Sequence, residues 1–348
     1  MWRFIADCFK RFEYSKMFDD KHTYYYAELH DIVKSHGERM RMTLSQGTKC
    51  AILCDSGLHS AIAILSCWYA DMIPIPMSKH YGDNNCNAII NLTEPSVCVT
   101  DNVNECTFPV IYDITVGMFY GDLFFAQTEK EDILLDIAII MCTSGSTGVP
   151  KAALITHEGL QRNVKAIAEY FNINNKDTML IARPLYHCAV LTGELLISLH
   201  NGSNITFFDE VYNPTKLIEF AKSSQSTVLC GTPTLFNHLS FLLKRQQTNL
   251  SISKLALSGE CLSTEIAQRI RSVFIEADIY SVYGLTENSP RVSYLPCEYF
   301  DLYSESVGKP LIDTELKIDN KPDSINYLVN NLTVQTSNYG KSSATTER

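Results

Sequence analysis

Apolar residues recur along this chain in two alternating rhythms, short continuous runs of strand length and longer segments with a helical repeat. Lys49–Cys54, Val97–Thr100, Val110–Ile114, Ile137–Cys142, Asn204–Phe208, Thr227–Cys230 and Ile279–Tyr283 read as strands. Ser60–Ala70 reads as a helix that is apolar on nearly every side. Glu158–Phe171 carries Leu160, Val164, Ile167 and Phe171 on one helical stripe. Ser263 can cap a further helix, with Glu265 in its first turn and Ile266, Ile270 and Phe274 on its buried side. Strand–helix alternation of this kind predicts an α/β architecture with largely parallel sheets. No internal repeat interrupts it before about residue 320. From Lys317 the composition shifts to Asn, Ser and Thr, and Ser337–Arg348 reads as a frayed end.

With 348 residues, 45% of them hydrophobic, the chain can bury a sizeable core in two domains or one large one. Its net charge of −10 and the lack of any Lys/Arg run argue against sequence-independent nucleic-acid binding. They do not argue against ATP, which a few placed donors and Mg²⁺ can hold. Twelve cysteines fall mostly inside apolar runs, with no C-x-x-C and no His pair at a metal-ligand spacing, so reduced thiols in a cytoplasmic protein are expected. Met1–Phe12 lacks an apolar h-region and a cleavage site, so no signal peptide is expected. The longest apolar stretches, 61–70 and 133–142, are too short to span a bilayer.

The segment richest in chemistry is Thr143-Ser-Gly-Ser-Thr-Gly-Val-Pro-Lys151, behind the strand Ile137–Cys142 and ahead of a second strand, Ala152–Thr156. Gly145 and Gly148 free the backbone to turn its N–H groups inward. Ser144, Ser146 and Thr147 add hydroxyls, and Lys151 adds a point charge. Such a loop suits a polyphosphate. It is neither a Walker A loop nor G-x-G-x-x-G, and it holds no G-x-S-x-G elbow. A plain Gly/Ser hairpin turn would explain the glycines but not the Pro-Lys ending.

Thr143–Lys151 resembles the phosphate-binding loop of the adenylate-forming enzymes: acyl-CoA synthetases, luciferases and peptide-synthetase adenylation domains. Tyr283-Gly-Leu-Thr-Glu287 resembles that family's Y-G-x-T-E motif, in the right order and also behind a strand. Weaker likenesses fill the gaps: Tyr25-Tyr-Ala-Glu-Leu29, Trp68–Met77, Arg183-Pro-Leu-Tyr-His187 and Ser306-Val-Gly-Lys-Pro310. The resemblance implies a two-lobed α/β core over 1–305, followed by the start of a small β-barrel over 306–348.

The chemistry it implies joins a carboxylate to ATP, giving an acyl-adenylate and pyrophosphate, and then passes the acyl group to a thiol of CoA or an acyl-carrier protein. By the same resemblance, Thr143, Ser144, Gly145, Ser146, Thr147 and Gly148 cradle phosphates with Lys151, and Thr286 hydrogen-bonds the α-phosphate. Glu287 binds Mg²⁺, Tyr283 and Gly284 flank the adenine, and Ser258, Gly259 and Glu260 line its edge. His187 gates the acyl pocket, and Cys230-Gly-Thr-Pro233 lines the acyl tunnel. An amino-acid-activating domain would carry an acid near His187. Tyr186-His187-Cys188-Ala189 has none, and Glu194 is expected in the next helix, so a fatty or aryl acid is the expected substrate. The plain alternatives are a solvated surface acid for Glu287 and a hydrogen-bonded core or loop histidine for His187.

Asn326-Tyr-Leu-Val329 stands where the family's G-E-L-x-V is expected. The T-G-D motif and the mobile lid with its catalytic lysine do not follow, and Lys341 does not replace that lysine. The expectation is therefore an adenylation core that is either a fragment or a short form working with a separate lid domain. The alternative of another class is a binding protein that holds ATP or acyl-adenylate without turnover.

Overall fold

The computed structural model describes residues 1–79, 82–122, 136–144, 150–210, 212–318 and 332–336. In chain order, β1 (Lys16–Phe18) and β2 (Thr23–Tyr25) form an antiparallel edge. A five-stranded sheet follows, made of β3 (Lys49–Ile52), β4 (Ile73–Pro76), β5 (Val97–Thr100), β6 (Val110–Asp113) and β7 (Met118–Gly121) in the order β4-β3-β5-β6-β7. It is parallel except for β7. Next, β8 (Ile137–Ser144) and β9 (Pro150–Thr156) pair as an antiparallel hairpin.

A second sheet collects β10 (Thr178–Ile181), β11 (Asn204–Phe207), β12 (Val228–Gly231), β13 (Lys254–Leu257), β14 (Asp278–Gly284), β15 (Arg291–Leu295) and β16 (Lys309–Pro310). Its nine strands run β16-β15-β14-β13-β12-β10-β11-β1-β2. The run from β14 to β1 is parallel throughout. The predicted strands and helices are present with shifts of up to three residues at their ends; Glu158–Phe171, for example, is a helix over His157–Ala168. Beyond β16, β17 (Thr314–Ile318) pairs antiparallel with β18 (Leu332–Thr336). No closed barrel forms among the described residues. Asn326–Val329, Lys341 and Ser337–Arg348 lie outside them.

Strand alternation divides the packing. Met179 and Ile181 of β10 point into one core, while Leu180 between them points into another. The first core is shared by both lobes. It takes in the helices Tyr26–Thr43, Gly57–Tyr69 and His157–Ala168 together with β5 and β8. The second lies on the outer face of the large sheet, under the helices Pro214–Ser223, Pro233–Gln246 and Thr264–Val273. Every residue from Ala61 to Trp68 is buried, which is why that helix reads as apolar all round. Trp68 Nε1 still finds an acceptor, donating to Ala138 O at 2.6 Å and so tying the helix to β8. The start of the same helix joins the lobes: Asp101 accepts from the N–H groups of Asp55 and Ser56, and Asp209, from the end of β11, accepts from Gly57 N at 2.9 Å.

All twelve cysteines are free thiols, six of them buried. Among the described residues, no helix is long and apolar enough to cross a membrane.

His36, on the helix Tyr26–Thr43, has Nδ1 2.9 Å from the Tyr112 hydroxyl of β6. Burial, reinforced by Arg39, pushes its pKa down to about 4. The folded protein therefore binds this proton less readily than the unfolded chain, and stability falls as pH drops from about 6.5 toward about 4. His36→Asn is expected to lose less stability than the parent on going from about pH 7 to about pH 5. Linkage sets the difference at no more than about 2 kcal/mol, and partial screening brings it to about 1 kcal/mol. Urea unfolding of both proteins at the two pH values checks it; equal losses would mean that the ring titrates alike in both states.

Candidate active site

Parallel strands deliver their connecting loops to one edge of the sheet, and ligand sites in open α/β sheets form at the carboxyl ends. Here that edge carries Arg183–His187 behind β10, Thr232 behind β12, Ser258–Glu260 behind β13 and Gly284–Glu287 at the end of β14. The hairpin β8–β9 reaches the same place: Thr143 pairs with Lys151 and Ser144 with Pro150 in the antiparallel register, and β9 packs on the turn Thr286–Asn288. Lys151 is exposed and Thr143 half-buried. Gly145, Ser146, Thr147 and Gly148 lie outside the described residues.

Two glycines meet backbone constraints at this edge. Gly259 has φ +90°, which disfavours any side chain. Gly284 precedes a tight reversal, and a Cβ there would lie 2.5 Å from Pro290 O. That reversal is a single 3₁₀ turn over Thr286–Asn288, closed by Leu285 N donating to Pro290 O at 2.7 Å. Ser258 N donates to Gly231 O at 2.9 Å, and its hydroxyl lies 3.5 Å from Arg183. Glu260 Oε2 accepts from Thr234 N and Oγ1, at 3.1 and 2.6 Å, at the start of the helix Pro233–Gln246.

His187 caps the helical stretch that begins at Cys188 and passes through a π turn over Leu191–Leu196. Its ring has an edge open to solvent and lies 4.5 Å, centre to centre, from Tyr186. Burial of the rest of the ring, with the Arg183 charge added, pushes its pKa down to about 4, so at neutral pH it is uncharged. Glu287 stands exposed at the turn, and its carboxylate faces two neighbours from different segments. It adds to the burial that pushes the Cys188 thiol up to about 12, and to the burial and the nearby Cys261 that raise Tyr283. The His187 segment, Tyr283 and Glu287 therefore lie within reach of one another's charge, and Arg183 of the His187 segment reaches Ser258.

Arg183 donates to Glu194 Oε1 at 2.6 Å and reaches Ser258 Oγ at 3.5 Å, the limit of hydrogen-bonding range. Glu194 sits in the π turn, as expected for the next helix, and is fully buried. Burial raises its pKa, and the opposing Arg183 charge limits the rise. Arg183 also lines a cleft of about 520 Å³ between the lobes, with Tyr186, Thr232, Met77, Phe208 and Lys79 among its walls. The acids on this cleft are engaged: Asp55 with Lys79 at 2.9 Å, Glu210 with Lys216, and Asp209 with Gly57 N.

Among the described residues no three His, Cys, Asp or Glu side chains gather as a metal cage. Glu287, exposed and next to Thr286 in the turn, offers oxygen donors of the kind Mg²⁺ takes. Reading the motifs leaves two structural residues without a role, Asn163 and Arg291. Asn163 had a signal, because it is a polar residue inside the stripe Leu160, Val164, Ile167.

A family model described as "AMP-binding enzyme" matches residues 7–325. Acyl-CoA ligase sidI of Aspergillus fumigatus is 30% identical over 185 residues, covering 53% of this chain and 31% of that protein. The human mitochondrial medium-chain acyl-CoA ligase ACSF2 is 29% identical over 189 residues, covering 52% of this chain and 30% of that protein. The matched stretch therefore spans about a third of the length of these relatives. Among solved structures, o-succinylbenzoate CoA synthetase (MenE) of Bacillus subtilis, in complex with its acyl-adenylate intermediate, superposes with a TM-score of 0.77 at 20% identity, over 92% of this chain and 66% of that one.

The Arg183–Glu194 pair gives a stability test. Removing one partner strands the other in a poorly solvated place, which typically costs about 3 kcal/mol, whereas removing both can restore much of the loss. Glu194→Leu is expected to lower unfolding free energy by about 3 kcal/mol, and Arg183→Leu/Glu194→Leu by clearly less. Urea unfolding of the parent, Arg183→Leu, Glu194→Leu and the double variant decides it. A double variant as weak as the sum of the singles would show that the pair is not coupled.

Proposed function

This chain belongs to the AMP-binding enzyme family, and on that premise we propose that it activates a carboxylic acid as its acyl-adenylate, as the core of an AMP-forming acid–thiol ligase. The observation that carries the reading is the meeting of Glu287, Tyr283 and the His187 segment at the carboxyl edge of the large sheet, beside β9 of the Thr143–Lys151 hairpin. The acid's carboxylate oxygen attacks the α-phosphorus of ATP; the bond to the bridging oxygen breaks, and pyrophosphate leaves. The protein has to align the two anions and stabilise charge on the phosphoryl oxygens.

In this reading Thr286 donates to the α-phosphate. The loop Thr143–Gly148 cradles the β- and γ-phosphates with Lys151. Tyr283 stacks on the adenine, with Gly284 admitting the base and Ser258, Gly259 and Glu260 along its edge. Glu287 holds Mg²⁺, which supplies charge neutralisation on the phosphates. His187, uncharged at neutral pH, shapes the acyl entrance as a hydrogen-bonding wall. The cleft behind Arg183 takes the acyl group, and Thr232 on its wall supports the tunnel expected around Cys230–Pro233.

A fatty or aryl acid fits better than an α-amino acid. An ammonium group needs a carboxylate that can turn to it; on the cleft wall Asp55 and Glu210 each face a lysine and Asp209 accepts from Gly57 N, while Glu194 sits behind the wall, paired with Arg183 through Oε1. Residues 1–305 form the working core and 306–348 the start of the next subdomain. The acceptor is CoA or an acyl-carrier-protein thiol, a lid domain completes the site, and the reaction takes place in the cytoplasm.

ATP–pyrophosphate exchange against a panel of fatty, aryl and α-amino acids, with calorimetric MgATP binding, tests the proposal. Exchange with a fatty or aryl acid is expected. Glu287→Gln should leave the thermal midpoint near the parent's and weaken MgATP binding by about tenfold or more, since a hard cation loses its charged ligand. Binding of MgATP without exchange for any acid would point to a non-catalytic holder of nucleotide. Unaltered binding by Glu287→Gln would remove that residue as the metal ligand.

A further inference from the structure

Asn163 is a polar residue on the buried stripe of the helix His157–Ala168, and it is itself 8% exposed. A buried amide needs partners for its donors and acceptor. Asn163 finds them on one target, the far side of the Thr286–Asn288 turn. Its Nδ2 donates to Arg291 O at 2.8 Å and Asn288 O at 3.4 Å, and its Oδ1 accepts from Arg291 N at 3.3 Å. Carbonyls on one side and an N–H on the other fix which way the amide points.

The helix that carries Asn163 starts directly after β9. Thr156, the last residue of that strand, caps it by accepting from Gly159 N at 3.0 Å. Cap, helix and amide therefore form one short rigid connection, from the hairpin at Pro150–Thr156 to the turn that holds Thr286 and Glu287. Arg291 extends it. Its buried guanidinium donates to the Tyr170 hydroxyl at 2.6 Å, two residues beyond that helix, and to Gly193 O at 3.2 Å, in the π turn after His187.

We propose that Asn163 is a positioning residue that holds the Thr286–Glu287 turn in register with β9, so that the carboxylate of Glu287 and Lys151 at the start of β9 meet the same nucleotide. This rests on the nucleotide reading given above. A residue that only stabilised the fold would, when changed, lower the unfolding midpoint and leave the metal dependence of nucleotide binding intact. A positioning residue changes the metal-dependent part selectively, because the metal carboxylate drifts relative to the phosphates.

The experiment compares the parent chain with Asn163→Ala and Asn163→Asp. Asn163→Asp keeps the acceptor for Arg291 N and turns a carboxylate toward two carbonyl oxygens. Without ligand, amide exchange over 285–291 should rise about tenfold in both variants, with exchange in β3–β5 unchanged. With ligand, the ratio of ATP affinity in Mg²⁺ to that in EDTA should fall about tenfold, beyond whatever affinity is lost in EDTA as Thr286 moves with the same turn. Unchanged exchange over 285–291 would overturn the positioning role whether or not the chain binds nucleotide. Faster exchange with an unaltered Mg²⁺ ratio would overturn the coupling to Glu287. A parent chain that binds no MgATP would overturn the nucleotide reading and the coupling with it, and the ligand-free arm would still decide whether Asn163 holds the turn. If Asn163→Ala does not fold, Asn163→Asp alone gives each of these results.

Discussion

A buried guanidinium has to be surrounded by acceptors or it unfolds what surrounds it, and Arg291 is buried in the middle of this site. Its acceptors come from two separate stretches of chain, the Tyr170 hydroxyl and Gly193 O, and its own backbone is clasped by Asn163. Three segments are therefore fixed by one residue: the helix behind the hairpin, the π turn behind His187, and β15 behind the Thr286–Glu287 turn. Each lies next to a segment that the proposed chemistry uses. The ring of Tyr170 in turn stacks on Tyr294 of β15 at 3.7 Å between centres, so the phenol that receives the guanidinium is itself immobilised. A core built this way resists the sideways drift that would separate nucleotide donors on different loops.

The five-stranded lobe depends on a different device. The first N–H groups of the helix Gly57–Tyr69 are left without intrahelical partners, and the acids that take the N–H groups at this end belong to both lobes. Asp101 comes from the helix's own lobe, and Asp209 from the sheet across the cleft. The same junction forms one wall of the cleft, through Asp55, Gly57 and Asp209. Moving the lobes apart would expose a helix terminus and its carboxylate together, so the width of the cleft is tied to a capping interaction. The shape offered to a ligand there is set by backbone geometry as much as by side-chain size.

Much of the fold was legible because the parallel strands, though mostly four residues long, bury both faces and leave continuous apolar runs. Val97–Thr100 needed no correction, and Ile137–Cys142 grew by only two residues, into the hairpin. Less visible were the short edge strands Lys16–Phe18 and Thr23–Tyr25, whose alternation is too brief to read, and the helix Tyr26–Thr43, whose face is diluted by charged residues. The motif segments Arg183–His187, Ser258–Glu260 and Tyr283–Glu287 were legible as stretches that follow strands, and the fold brings them to one edge of the large sheet. The Asn163 clasp and the Asp209 cap were not legible, because each joins residues far apart in the chain, and the Arg183–Glu194 pair was not, because it crosses from a loop into the next helix with no helical or strand period to mark it. A polar residue at a buried stripe position was the one local trace, and only at Asn163.

The electrostatics of the acyl side bear on which acid is activated. Arg183 and Glu194 cancel one another across 2.6 Å, and burial leaves His187 uncharged at neutral pH. These three groups therefore add almost no net charge beside the proposed carboxylate, with Arg183 in the cleft wall and Glu194 behind it. A zwitterionic amino acid brought there would have to shed water from its ammonium group without gaining a free carboxylate, a cost of several kcal/mol for an unpaired buried ion. An acid with an apolar tail loses water that was unfavourable to keep, and gains about 25 cal/mol for each Å² of apolar surface it hides. The same neutrality places the burden of orienting the carboxylate on donors nearer the phosphate, Thr286 and Lys151. Those donors sit on the turn and the hairpin that Asn163 joins. Selectivity for the tail and alignment of the reacting end thus fall to different parts of the site, and the packing around Arg291 is what holds the two parts together.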